Sequence, residues 1–195
     1  MAKLYKCLGP DRTACHSGSG QWLPVGEWMP PIEGDLVPCT NGYHVCTFEQ
    51  LLGWLSAELY EVEVRGDRVD EDNKSVVREA CLAKRCEWWT ERTARLFACD
   101  CAEHVLPLCE KAAPGDMRPR RAIEVARLFA DGKATREELA AAWSAAWSAA
   151  GTAAGSAAWS AAWPAERRWQ LERLSHYRDG DGAEAERNGE EQSNG

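Results

Sequence analysis

The sequence predicts an α+β protein: a small mixed α/β N-terminal domain followed by an all-α helical bundle with a long Ala/Trp-rich helix. Three observations carry this expectation. Residues 59–65 alternate apolar and charged side chains, the period of a half-buried strand. From Thr90 onward, apolar residues recur at three- and four-residue spacing, the period of a helix. Across 143–163 the chain repeats every four residues as Trp or Gly, then Ser or Thr, then Ala-Ala, ending in Trp163-Pro164. The expected boundaries are 1–88 for the first domain, 89–179 for the bundle and 180–195 for a disordered acidic tail.

In the first domain, residues 3–8 form a candidate strand closed by the turn signal Gly9-Pro10-Asp11. Residues 17–20, Ser-Gly-Ser-Gly, make a flexible loop. The stretch 22–32 carries Pro24, Gly26, Pro30 and Pro31, so little regular structure is expected there. Asn41-Gly42 signals a tight turn into Tyr43 to Cys46. Thr47 with Gln50 matches a capping box opening a short helix through Leu51, Leu52, Trp54 and Leu55. The alternating strand follows, and Gly66-Asp67 is expected to end it. Residues 75–82 suit either a strand or a helix.

Thr90 can cap a helix whose inward face is Ala94, Phe97, Cys101, Val105 and Leu108, with Pro107 expected to kink or end it. Pro114-Gly115-Asp116 is a loop. A second helix spans 120–130, with Ile123, Ala126 and Phe129 or Ala130 inward, and stops at Asp131-Gly132. Thr135 and Glu138 form another capping box. In the repeat, each four-residue step drifts about 40° around a helix, so Trp143 and Trp147 lie about 160° from Trp159 and Trp163. Such a helix is expected to be buried and touched on more than one side. Breaks near Gly151 to Gly155 and at Pro164 are the alternatives.

Composition narrows function. The chain has 195 residues, 45% hydrophobic and 28% charged, enough for a genuine core. Its net charge of −8 argues against general nucleic-acid binding, where phosphate contacts dominate. Five acids against the single Arg187 concentrate negative charge in 180–195. Neither a signal peptide nor a membrane span is evident, and nine cysteines then suggest reduced thiols in the cytoplasm.

Metal binding is not expected. Cys7 and Cys15, and Cys39 and Cys46, are spaced too widely for the paired ligands of structural zinc, although His44 and Cys46 would share a strand face. Cys15-His16, and Cys39 near His44, could pair a nucleophile with a base, but no nucleophile elbow surrounds either. Glu61 and Glu63 share one strand face, which suits solvent. No phosphate-cradling glycine motif is present. No cofactor is expected.

Two stretches resemble known families. Residues 3–67, with Leu4-Tyr5-Lys6-Cys7-Leu8, Cys39-Thr-Asn-Gly-Tyr-His-Val-Cys46 and Glu61-Val-Glu-Val-Arg-Gly66, resemble an uncharacterised domain of phage and actinobacterial proteins. Residues 93–142, with Ala102-Glu-His-Val-Leu-Pro-Leu108, Arg118-Pro-Arg-Arg-Ala-Ile-Glu124 and Ala126-Arg-Leu-Phe-Ala-Asp-Gly132, resemble a helical family of immunity proteins. The second resemblance implies a non-enzymatic interaction protein of phage or bacterial conflict, of immunity or anti-defence type, that binds a protein partner. Arg118, Arg120, Arg121, Trp143, Trp147, Trp159 and Trp163 are its candidate interface. The first domain is also similar to ADP-ribosyltransferase-like folds, through Tyr5 and Gly42-Tyr43-His44. This implies the alternative of an NAD-using enzyme with a pocket of Tyr5, Tyr43 and His44. Those folds use a late glutamate on a strand, for which no match is identified here.

Overall fold

The computed structural model of the chain describes residues 2–150 and 156–180, with side chains described for 2–146 and 164–180. The chain divides into two compact units, Met1–Trp89 and Thr90–Gly195. The strand-rich first half and helical second half make it α+β.

Four antiparallel strands build the first unit: β1 (Leu4–Leu8), β2 (Tyr43–Val45), β3 (Glu58–Asp70) and β4 (Ser75–Arg85), in the order β1-β3-β4-β2. The sheet curls until its edges meet. Tyr5 and Cys46 exchange both backbone hydrogen bonds, at 2.8 and 3.0 Å, across the gap between β1 and β2. Leu4, Leu8, Trp22, Val45, Tyr60, Val62, Val77, Ala80 and Leu82 fill one face. Tyr5 and Cys7 alternate onto the other face of β1, where Phe48 meets Tyr5 with ring centroids 6.2 Å apart.

The first unit is strand-rich where a mixed α/β domain is expected: among its described residues the helical turns are the 3-10 segments Pro10–Arg12 and Phe48–Gly53. The Thr47 signal does open the second of these, with the Thr47 amide donating to Gln50 Oε1 at 2.9 Å. Leu51 is fully buried, but six residues bounded by Gly53 are too few for a stable α-helix.

The ambiguous 75–82 stretch is strand. Val76, Val77, Ala80, Cys81 and Leu82 are buried, so both faces of β4 are covered and no alternation survives in the sequence. Gly66-Asp67 does not end β3. The pairing register shifts between Arg65 and Arg68, with Gly66 at φ +77°, so the turn signal is a bulge inside a continuing strand. The proline-rich 22–32 stretch is irregular yet anchored to β4. The amides of Gly26, Met29 and Ile32 donate to the carbonyls of Leu82, Ala80 and Arg78 at 2.9–3.0 Å.

The second unit contains α1 (Glu91–Ala112), α2 (Arg118–Ala130), α3 (Arg136–Ala150) and α4 (Ser156–Asp179). Thr90 caps α1 by accepting the Thr93 amide at 3.1 Å, and Thr135 and Glu138 exchange bonds at the start of α3. The α1 helix buries Leu96, Phe97, Cys99, Asp100 and Leu106. Phe97 faces inward as expected, but Leu108 is 59% exposed, because the buried side chain of that turn is Leu106, two positions earlier and so on the opposite side of the helix. Neither Pro107 nor Pro164 ends its helix. The Ala/Trp helix is not buried throughout as expected. Trp143 is 58% exposed, and alanine-rich neighbours offer too little apolar surface to hold a partner over it. The glycines 151 and 155, the tail 181–195 and the side chains of Trp147, Trp159 and Trp163 lie outside the described residues.

One buried carboxylate organises this unit. Asp100 accepts from Arg127 on α2 at 2.8 Å, and from Arg173 and Tyr177 on α4 at 2.6 Å each. Leu174, next to Arg173 on α4, is fully buried, and Tyr177 also meets the Phe97 ring edge to face. An unpaired charge here would be costly, so the three donors are the condition for its burial.

Two changes test these constraints. Gly42 sits at φ +139°, and a Cβ there would lie 2.2 Å from Val76 Cγ1. Gly42→Ala is expected to destabilise the first unit by about 2 kcal/mol or more in chemical denaturation. Asp100→Ala is expected to cost the helical unit about 3 kcal/mol, the lower end for a broken buried pair. Arg127 and Arg173, about a third exposed, keep part of their hydration. A loss below about 1 kcal/mol in its unfolding transition would show the network to be dispensable.

Candidate functional site

The first unit carries a cleft of about 430 Å³ next to the Tyr5–Cys46 closure. The β1 strand contributes Tyr5, Lys6 and Cys7, and β2 with the residue after it contributes His44, Val45 and Cys46. Loops complete the walls with Cys15, His16, Ser17, Cys39, Trp54 and Lys74. His16, Ser17 and Cys39 all have positive φ, at +55°, +70° and +63°. Non-glycine residues adopt that conformation at a cost of about 1–2 kcal/mol each, so the rim stores strain.

Tight contacts hold the polar groups. Lys6 Nζ donates to the His44 carbonyl at 3.0 Å. The Cys39 amide donates to His44 Nε2 at 2.9 Å, which leaves the ring proton on Nδ1. Burial, then Lys6 and Lys74, hold the His44 pKa below the ordinary histidine value. Burial likewise lowers the Lys6 pKa. Lys74, only 7% exposed, places Nζ 2.8 Å from Cys39 Sγ, 3.3 Å from Glu71 Oε2 and 5.6 Å from the Trp54 ring centroid. The bond to Cys39, followed by the bond to Glu71, raises the Lys74 pKa. His16 faces Trp54 edge-on at 5.4 Å and contacts its carbonyl at 2.9 Å.

The cleft therefore gathers thiols, imidazoles and ammonium groups, and none of its lining side chains is a carboxylate. Of the expected pocket, Tyr5 and His44 line it while Tyr43 does not. Strand alternation turns Tyr43 the other way, where its hydroxyl donates to the Pro30 carbonyl at 2.8 Å and its ring meets Trp22 at 5.4 Å. His44 is not poised as a base toward Cys39, because its acceptor nitrogen is occupied by that residue's backbone. His44 and Cys46 both line the cleft, but among the described residues no group of three His, Cys, Asp or Glu is placed to hold a metal ion. Sequence reasoning missed Lys6, Trp54 and Lys74. Lys74 in particular lies 35 residues from Cys39, with no shared local pattern.

The helical unit has a groove lined by Glu103, His104, Trp169, Glu172 and His176 beside the Asp100 network. His104 stacks on Trp169 with centroids 3.9 Å apart and planes 5° from parallel, and its Nε2 lies 3.4 Å from Glu166. Sequence reasoning quoted Glu103 and His104 within a family-like motif but did not single out the groove, since its two walls come from α1 and α4, far apart in the chain. The arginine cluster is partly self-paired: Arg118 binds Asp116 at 2.7 Å and Arg120 binds Glu110 at 2.6 Å. Arg121 is exposed.

With this geometry in place, the comparisons fall on the helical half. Residues 84–165 match the family described as Imm-5 like putative immunity protein. The match runs from the last residues of β4 through α1, α2 and α3 into α4, and covers less than half of the chain. No curated protein and no solved structure matches the chain. Among the described residues, no helix is long and apolar enough to cross a membrane.

The His44 geometry predicts a pH dependence. A histidine whose folded pKa is depressed binds fewer protons folded than unfolded below its ordinary value of 6.5. Its contribution is therefore present above that value and is lost as pH falls through the folded pKa. The first unit is expected to lose stability on acidification below pH 6.5, and His44→Gln to flatten that part of the profile, as followed by thermal melts across pH.

Proposed function

We propose that this protein is a non-enzymatic, immunity-type protein of phage or bacterial conflict, acting in the cytoplasm by binding a protein partner through its helical unit. The carrying observation is the match of residues 84–165 to the immunity family, which falls on the helices that build that unit. The Asp100 network supports the reading physically. It ties α1, α2 and α4 together and gives a preorganised surface, which lowers the ordering cost of association.

Exposed residues suited to an interface lie on the same unit. Trp143, Met117 and Leu108 are each more than half exposed, and tryptophan and arginine are the usual anchors of binding energy. Arg118, Arg120 and Arg121 at the start of α2 supply a charged rim. Self-pairing of the first two makes it a register-setting device more than an attractive one. Trp147, Trp159 and Trp163 extend the proposal along the repeat.

The NAD-using alternative draws support from Tyr5 and His44, which share the cleft. It lacks a lining carboxylate there, the group that ADP-ribosyltransferase-like chemistry requires.

The test is affinity capture from the native host with the full chain, and with a variant carrying Arg118→Glu, Arg120→Glu, Arg121→Glu and Trp143→Ala. A stoichiometric protein partner is expected for the wild type. Its retention is expected to fall at least about tenfold for a folded variant, the effect of losing one anchor. Undiminished capture would move the interface elsewhere. Turnover of NAD by the pure protein, abolished by His44→Gln, would replace the binding reading with the enzymatic one.

A further inference from the structure

The closest nitrogen–sulfur approach in the first unit is unlike its other sulfur contacts. The Leu23 amide donates to Met29 Sδ at 3.3 Å, an ordinary N–H to sulfur distance. The thiols of Cys15, Cys46 and Cys81 reach carbonyl oxygens at 3.4, 3.7 and 3.6 Å. Lys74 Nζ and Cys39 Sγ stand at 2.8 Å, half an ångström inside the amide–sulfur contact. Sulfur is a large atom, and such an approach is shorter than a neutral hydrogen bond to it needs. A single oxygen atom between nitrogen and sulfur, joined to each by an ordinary single bond with a bent angle, spans nearly this separation, so the bridge closes with only a slight approach of the two side chains.

Three further features bear on this pair. Cys39 is exposed on the cleft rim, so a small oxidant reaches it, whereas Lys74 is buried and held by Glu71 and the Trp54 ring. The Cys39 backbone takes a left-handed conformation, and its amide is fixed by His44, so the turn that carries the thiol cannot swing freely. The two residues lie on separate segments: Cys39 within the turn closed by the Val37–Asn41 bridge, Lys74 in the turn between β3 and β4.

We propose that Cys39 and Lys74 form an oxidative modification site, at which peroxide, the oxidant, installs a covalent nitrogen–oxygen–sulfur bridge across the cleft. The reacting form of cysteine is the thiolate, and the contacting ammonium is its counterion. Sulfur attacks a peroxide oxygen, forming S–O and breaking O–O. The lysine proton passes to the departing hydroxide, giving sulfenic acid, water and a neutral amine. A second peroxide oxidises the amine nitrogen to a hydroxylamine, forming N–O, breaking O–O and releasing water. The hydroxylamine oxygen then attacks the sulfenic sulfur, expelling a further water. In sum, one ammonium, one thiolate and two hydrogen peroxide molecules give one bridge and three waters. A thiol reductant attacks the sulfur and breaks the O–S bond, releasing Lys74 as the hydroxylamine and leaving a mixed disulfide, which a second thiol resolves to the free Cys39 thiol. The bridge staples the 37–41 turn to the start of β4 and fixes one wall of the cleft.

The experiment treats the full-length protein with hydrogen peroxide and maps it by mass spectrometry after proteolysis without reductant. The expected product is a cross-linked peptide pair containing Cys39 and Lys74, heavier than the two reduced peptides by one oxygen less two hydrogens. Dithiothreitol should separate the two peptides, with Cys39 returned as the thiol and the Lys74 peptide one oxygen heavier, and the oxidised protein should melt at a higher temperature than the reduced one. Lys74→Arg keeps the positive charge but removes the amine, and Cys39→Ser removes the sulfur, so each should abolish the pair. The proposal is overturned if wild-type Cys39 is recovered unmodified, as sulfinic or sulfonic acid, or in a disulfide with Cys15 while Lys74 stays free. A direct sulfur–nitrogen link lacking the oxygen would overturn it equally.

Discussion

The paired hydrogen bonds between Tyr5 and Cys46 decide the form of the first unit. A flat four-stranded sheet would leave β1 and β2 as opposite open edges. Joining them at one residue pair forces the curl, turns Leu4 and Leu8 inward against Val45 and Val77, and puts Tyr5 and Cys7 on the opposite face. The cleft follows from the same closure. It lies where the two edges meet, which is why β1 and β2 both contribute to it and why thiols distant in sequence come together there.

In the helical unit a polar group has the equivalent role. Asp100 is buried, and its three donors from two other helices make that tolerable. Apolar contact alone would let amphipathic helices slide against one another, since hydrophobic packing is non-directional. A carboxylate with a fixed set of partners selects one arrangement. Such a carboxylate contributes to the choice of one packing more than to raw stability.

Much of this was legible in local pattern. The alternation of 59–65 identified β3, Thr90 and Thr135 marked helix starts, and Pro114-Gly115 marked a loop. The features that escaped share one property: their meaning depends on residues far away. Gly66-Asp67 looks like a stop until Arg68 is seen to resume pairing with β4. Proline at 107 and at 164 looks like a helix end until neighbouring turns are seen to continue. The cleft was half visible, because Tyr5 and His44 were singled out. A Gly-Tyr-His string does not reveal which of two adjacent side chains faces the cleft, and it is His44 that does while Tyr43 turns away. Lys74 was invisible: a lysine in a hairpin turn is ordinarily solvated.

The proline-rich 22–32 stretch has a consequence for how the protein behaves in a crowded solution. Beyond Val77, β4 would expose a row of unpaired carbonyls and amides between apolar side chains, a template on which another chain could add a strand. The strap occupies that row through Gly26, Met29 and Ile32. It does so without becoming a strand that could be extended in turn, because Pro24, Pro30 and Pro31 have no amide hydrogen to offer a newcomer. An irregular segment thus ends the sheet chemically as well as spatially, and guards a nine-cysteine, tryptophan-rich protein against intermolecular β-pairing.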